Sequence, residues 1–167
     1  MTRGMIYLHS LSPPICHGDV KPGNVLVTDA LDAVLCDFGL ASLVQDPEIP
    51  SGFTTSRSIK GSTRYMSPEL LLENEPKQSL ASDVWGWACT VFEIIADTWP
   101  YAKCKSDSAI IRSMLQGEAP VPEERIQLGF STWETEMAPG SFLPSLQQAL
   151  RNCWNFDPTM RPSLSDI

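Results

Sequence analysis

The sequence predicts a mainly α-helical domain, an α+β fold in which a helical bundle surrounds one buried central helix and a small β-hairpin sits near the start. Three observations predict it. Residues 83–97 are apolar on nearly all sides, with Glu93 the one charge between Asp83 and Asp97, the pattern of a helix buried in a core. Two short apolar runs, "VLV" at 25–27 and "AVLC" at 33–36, flank the turn-forming "TDALD". Leu143, Leu146, Leu150 and Cys153 recur at steps of three and four, so residues 142–154 form an amphipathic helix.

The remaining elements follow in chain order. Residues 2–10 read as the last turns of a helix with Met5, Ile6 and Leu8 as its apolar members, and "SPP" ends it. Residues 40–66 have little periodicity and are rich in Ser, Thr, Pro and Gly; so long a loop in a compact domain is functional or disordered. Pro68 opens a short helix in "PELLLEN". Ser82 or Asp83 caps the central helix. Residues 107–116 form a helix with Ile110, Ile111, Met114 and Leu115 on one face, broken by "GEAPVPEE".

Composition narrows the class. A chain of 167 residues suits one domain or a large part of one. With 43% hydrophobic and 19% charged residues it is globular rather than disordered. A net charge of −8 opposes a nucleic-acid partner, which would need a basic footprint for phosphates. Cys16, Cys36, Cys89, Cys104 and Cys153 form no C-x-x-C pair and are odd in number, so they read as reduced thiols of an intracellular protein. The opening "MTRGMIYLHSLSPP" has no sustained apolar core of a secretion signal, and "VWGWACTVFEIIA" at 84–96 is too short to span a bilayer. A soluble, cytoplasmic protein with no membrane partner is expected. Trp85, Trp87, Trp99, Trp133 and Trp154 are expected as core or interface anchors.

The chemistry concentrates in "CHGDVKPGNVLV" at 16–27 and "DFG" at 37–39. A single Asp, Lys or Asn there would be an ordinary turn residue. Together they match what phosphoryl transfer asks of a protein: a group to orient or deprotonate a hydroxyl, oxygen ligands for Mg²⁺, and positive charge on the phosphate. Asp19 suits the base, Lys21 the phosphate contact, and Asn24 and Asp37 the metal ligands, since hard cations prefer oxygen. Phe38 is expected to pack inward, and Gly39 to permit a sharp turn.

"HGDVKPGN", "DFGLA", "GSTRYMSPE", "SDVWGWA" and "CWNFDPTMRPS" resemble, in order and spacing, the successive motifs of eukaryotic protein kinases. The resemblance covers the family's C-terminal lobe, from about Met5 to Ile167. It implies a partial kinase domain over 1–167, with a catalytic loop at 15–27, an activation segment at 37–69, a central helix at 83–97 and C-terminal helices over 107–167. It implies ATP and Mg²⁺ as cofactors and a protein substrate, with transfer to Ser or Thr suggested by Lys21-Pro22. Asp19 and Lys21 would be catalytic; Lys21, Asn24, Leu26 and Asp37 would bind the nucleotide, with Leu26 under the adenine and Asn24 and Asp37 on the metal. Ser62 stands where the family has a Thr that bridges Asp19 and Lys21. Glu69 would pair with Arg161, Asp83 would accept hydrogen bonds from the backbone of the catalytic loop, and His17 would be structural.

Two departures stand out. Most relatives have Arg where Gly18 stands, an Arg that holds a phosphate on the activation segment. Phosphorylation of Thr54, Thr55, Ser56 or Ser58 is therefore not expected to order the loop in the usual way, although Arg57 and Lys60 can still pair with a phosphate. The family's smaller lobe, with its Gly-rich loop and its own phosphate-binding Lys, has no counterpart in these residues. The expected activity is that of a complete domain, the isolated chain being inactive. The alternative is a non-catalytic module that binds partner proteins.

Overall fold

The computed structural model describes residues 1–38, 41–43, 62–126 and 142–167. Gly39, residues 54–60 and Trp133 lie outside them. Helix α1 runs Thr2–Ser10. Strand β1, Ile15–Cys16, leads into a loop and a 3₁₀ turn at Pro22–Asn24. Strands β2 (Val25–Val27) and β3 (Ala33–Leu35) pair antiparallel, with Val25 opposite Leu35 and Val27 opposite Ala33, as the two apolar runs predict. Strand β4, Ser42–Leu43, pairs with β1. Helices α2 (Pro68–Leu72), α3 (Leu80–Ala96), α4 (Asp107–Leu115) and α5 (Phe142–Cys153) follow, and residues 123–126 are also helical. Helices thus dominate the described residues, with two small two-stranded sheets where one was expected. The β1–β4 pair escaped because each strand has only two residues and its partner is far along the chain.

Helix α3 is the axis of the molecule. Val84, Trp85, Trp87, Ala88, Cys89 and Phe92 are buried along it. They pack with Met5 from α1, Leu150 and Cys153 from α5, and Trp154, Leu164 and Val20. Trp85 meets Phe156, and Phe92 meets Trp154, edge to face at centroid separations of 5.7 and 6.1 Å. Each fully buried large apolar side chain contributes about 1.5–3 kcal/mol, so this cluster sets where everything else must sit. A second, smaller cluster of Tyr101, Ile110 and Met114 joins α4 to Leu71 of α2.

Several expectations need correction. The central helix starts at Leu80, not residue 83, and its cap is Ser79 rather than Ser82 or Asp83. Ser79 and Ser82 form a reciprocal capping box: the Ser79 N–H donates to Ser82 Oγ at 2.9 Å, and the Ser82 N–H donates to Ser79 Oγ at 3.1 Å. The first turn lies outside the fully apolar run, which hid it. Asp97 ends the helix at a φ of 45°. On α4 the buried apolar positions are Ile110 and Met114, while Leu115 is 68% exposed and ends the helix facing solvent. Of the hairpin's apolar residues Leu35 packs against the core, while Leu26, Val27 and Val34 are exposed. Trp99 is exposed as well, with the Arg64 guanidinium 5.4 Å from its ring centroid. None of the described helices is long and apolar enough to cross a membrane.

Candidate functional site

The loop between β1 and β2 gathers the polar residues, and α3 holds the loop. Asp83, in the first turn of α3 and 2% exposed, turns its carboxylate toward it. Its Oδ2 accepts the His17 N–H at 2.7 Å and its Oδ1 accepts the Gly18 N–H at 2.9 Å. His9, at the end of α1, adds a third contact, its Nε2 lying 3.0 Å from Asp83 Oδ2. Sequence reasoning missed His9, although it is one of only two histidines in the chain and closes a helix that runs up to this loop. His17 is fully buried; its Nε2 lies 3.2 Å from the Cys36 carbonyl, and its Nδ1 accepts the Asp19 N–H at 3.3 Å. Both its ring nitrogens are committed to backbone.

Asp19, Lys21, Asn24 and Ser62 come together. Lys21 Nζ lies 2.5 Å from Asp19 Oδ2 and donates to Ser62 Oγ at 2.8 Å. The bridge expected of Ser62 thus runs through Lys21, the residue that touches both. Ser62 sits just ahead of a 3₁₀ turn, Thr63–Tyr65, and is 2% exposed. Asn24 Nδ2 donates to the Asp19 carbonyl at 2.8 Å and to Asp19 Oδ2 at 3.0 Å. Two donors on Oδ2 aim the carboxylate, and charge-assisted bonds of this kind are the stronger ones. The Asn24 carbonyl accepts the Cys36 N–H at 3.0 Å, which fixes the start of the "DFG" stretch beside the loop.

Asp37 is exposed and takes a φ of 60°, a left-handed conformation that a non-glycine residue adopts only where the surroundings hold it. Phe38 does not pack fully inward. One side of its ring meets His17 at 5.1 Å between centroids, and half of the residue remains exposed. Leu26 projects from β2, 57% exposed. Cys16, inside the loop's base, is not a nucleophile: burial pushes its thiol up, the Asp83 carboxylate adds to this, and the thiol donates to the Ser79 carbonyl at 3.2 Å.

Below the site, Arg161 and Glu69 form a bidentate pair at 2.7 and 2.8 Å. Arg161 also donates to the carbonyls of Ala81 and Asn155, and its guanidinium lies 5.1 Å from the Trp85 ring centroid. The pair ties α2 to α3 and to the C-terminal segment. Arg64, which the sequence did not single out, anchors the 3₁₀ turn by donating to the carbonyls of Pro100, Tyr101 and Cys104.

A cation bound here would take its oxygens from the Asn24 amide and the Asp37 carboxylate. Asn24 uses its Nδ2 to hold Asp19, so its amide oxygen is the atom left for a metal. That donor chemistry suits Mg²⁺ better than a soft metal. Among the described residues no group of three or more His, Cys, Asp or Glu is arranged to hold a metal ion.

Comparison with known proteins gives the geometry its context. The family model described as "Protein kinase domain" matches residues 1–167. Receptor-interacting serine/threonine-protein kinase 3 of Rattus norvegicus is 35% identical over 163 residues, covering 98% of this chain and 32% of that protein. Probable serine/threonine-protein kinase drkD of Dictyostelium discoideum is 33% identical over 166 residues, covering 99% of this chain and 11% of its own length. Serine/threonine-protein kinase CTR1 of Arabidopsis thaliana is 29% identical over 167 residues, 100% of this chain and 18% of that protein. The chain therefore spans a third or less of the length of these relatives, and it belongs to the eukaryotic protein kinase family.

Proposed function

We propose that these residues are the C-terminal lobe of a protein kinase domain, which in the complete domain transfers the γ-phosphate of ATP to a Ser or Thr hydroxyl of a protein. The observation that carries this reading is the cluster of Asp19, Lys21, Asn24 and Ser62 on a loop held by Asp83. Asp19 is the base. Lys21 and Asn24 occupy its Oδ2, so Oδ1 is the oxygen that meets the substrate hydroxyl and takes its proton. Lys21 is placed to carry charge to the phosphate while its contact with Ser62 holds it in position. Asn24 and Asp37 would hold Mg²⁺, which would neutralise phosphate charge when bound. Leu26, on the exposed face of the hairpin, would support the adenine. The small cleft beside Asp19, lined by Val20, Tyr65, Met66 and Leu70, would receive the substrate chain. All five cysteines are free, which supports a reducing, cytoplasmic location.

The test is phosphotransfer from Mg·ATP to a protein substrate by the full-length gene product, with Asp19→Asn as the control. Loss of at least a hundredfold in kcat with retained folding is expected; an unchanged rate in that variant removes Asp19 from the role. A second reading, a non-catalytic module, draws on one observation: Leu26 and Val34, opposite each other on one face of the hairpin, are left exposed, as are Val27 and Phe38. The intact mass of the native protein separates the two. A mass well above that of the 167-residue chain supports the kinase, and a mass equal to it supports the module.

A further inference from the structure

Gly18 carries two observations that belong together. Its φ is 80°, in the left-handed region. A Cβ built on it would stand 2.5 Å from both Nε2 and Oε1 of Gln78, so the Gln78 amide fills the place a side chain at residue 18 would take. That amide also makes a bond: Gln78 Nε2 donates to the Gly18 carbonyl at 3.3 Å.

The bond matters because of which peptide unit it holds. The Gly18 carbonyl and the Asp19 N–H belong to one rigid plane. Asp83 fixes the two preceding planes, through the N–H groups of His17 and Gly18, and does not reach this one. The plane is held instead at both of its own ends. Its N–H donates to His17 Nδ1, and its carbonyl accepts from Gln78, which lies in the connection between α2 and α3. The orientation of that plane sets the direction in which the Asp19 side chain leaves the backbone.

We propose that Gln78 is a positioning residue for phosphotransfer: its amide, seated in the space left by the missing side chain at residue 18, holds the Gly18–Asp19 peptide plane and so aims Asp19. The inference rests on the reading of Asp19 as the base. The chain thereby secures this loop from the α2–α3 connection by a neutral hydrogen bond, a means that needs no modification of the protein.

The experiment uses the full-length gene product and the variants Gln78→Glu, which keeps the size but removes the donor, and Gln78→Ala. Two readouts are taken: kcat and KM for Mg·ATP and protein substrate, and hydrogen exchange of fragments covering residues 17–20 and 80–96. The expected result is a fall in kcat of about five- to tenfold with both KM values within about twofold. Exchange at Asp19 should rise by about the same factor while α3 stays protected. Unchanged kcat and unchanged exchange in both variants would overturn the proposal. Equal loosening of α3 would also overturn it, since Gln78 would then be an ordinary structural residue. A full-length product without any phosphotransfer defeats the kinase reading alone, and the exchange measurement still decides whether Gln78 holds the plane.

Discussion

At the scale of single residues, two positions carry costs that the geometry lets one anticipate. Arg161 has a side chain that is fully buried, and it saturates the carboxylate of Glu69, itself 9% exposed. Such a pair is weak evidence of net stabilisation, because burying two charges costs nearly what their attraction returns. Removing one partner is different. Arg161→Met leaves a buried carboxylate with no cation and strands the carbonyls of Ala81 and Asn155. A loss of about 3–5 kcal/mol is expected in urea unfolding of the chain; a loss below about 1 kcal/mol would mean that Glu69 finds water or takes up a proton at little cost. Gly18 is the second position. Gly18→Ala meets both a left-handed φ and the amide of Gln78, so a loss of about 1–2 kcal/mol is expected. Combining it with Gln78→Ala should relieve the clash but not the backbone strain, and a thermodynamic cycle of the two measures the difference.

At the scale of elements, α3 decides how closely the candidate site can be built on the core. Gly86 is the contact point: a Cβ there would lie 3.0 Å from the Val20 carbonyl and 3.2 Å from the Val20 Cβ, with the Tyr65 carbonyl at 3.4 Å. A glycine inside a helix costs up to about 1 kcal/mol relative to alanine, yet Gly86→Ala is expected to destabilise by about 1–2 kcal/mol, since two backbone segments must give way. A stabilised variant in thermal unfolding would show that the loop shifts freely. Glu93, further along the same helix, gives a pH signature. Partial burial raises its carboxyl above the ordinary range, Asp97 adds to this, and the Tyr65 hydroxyl, 2.6 Å away, and Arg64 oppose it. The folded state therefore holds the Glu93 proton more tightly than the unfolded chain. That stabilisation is complete below the unfolded carboxyl value and fades as pH rises through the folded one. Glu93→Gln should flatten the decline in stability as pH rises above 4.5, read by urea midpoints at a series of pH values. Elements of this kind were legible in the sequence where a pattern repeats locally: the apolar run of α3, the spacing on α5, the paired runs of the hairpin. What escaped depends on distant partners. The Ser79 cap lies ahead of the apolar run, β4 needs β1, and the contacts of His9, Arg64 and Gln78 join segments that nothing in local spacing relates. The ordered motifs named Asp19, Lys21, Asn24 and Asp37 without any of these, but the residues that hold them in place were invisible until the chain was folded.

At the scale of the whole molecule, the hairpin presents a problem that the core does not solve. Leu26 and Val34, opposite each other on one face of the hairpin, are 57% and 45% exposed, Val27 on the other face is 67% exposed, and Phe38 is 50% exposed. Strand pairs normally turn one face to a core; here Leu35 packs against the α3 cluster, and Leu26, Val27 and Val34 are left uncovered. Its neighbours in the site are polar and directed, so an apolar patch here is not a residue of poor packing; it is a surface that water covers at a cost of about 25 cal/mol per Å². Three substitutions that keep β propensity, Val27→Thr, Val34→Thr and Leu26→Thr, remove much of it. Because these side chains are exposed, the urea midpoint of the 167-residue chain should change by less than about 0.5 kcal/mol equivalent. Self-association should fall, seen as a smaller concentration dependence in light scattering. The same set in the full-length product should raise the KM for Mg·ATP, because Leu26 is proposed to lie against the adenine. A fall in self-association with no effect on nucleotide use would assign the patch to a partner protein and favour the module over the kinase. A large loss of stability in the short chain would instead mean that the patch is folded against something within it, and both readings of the surface would then be wrong.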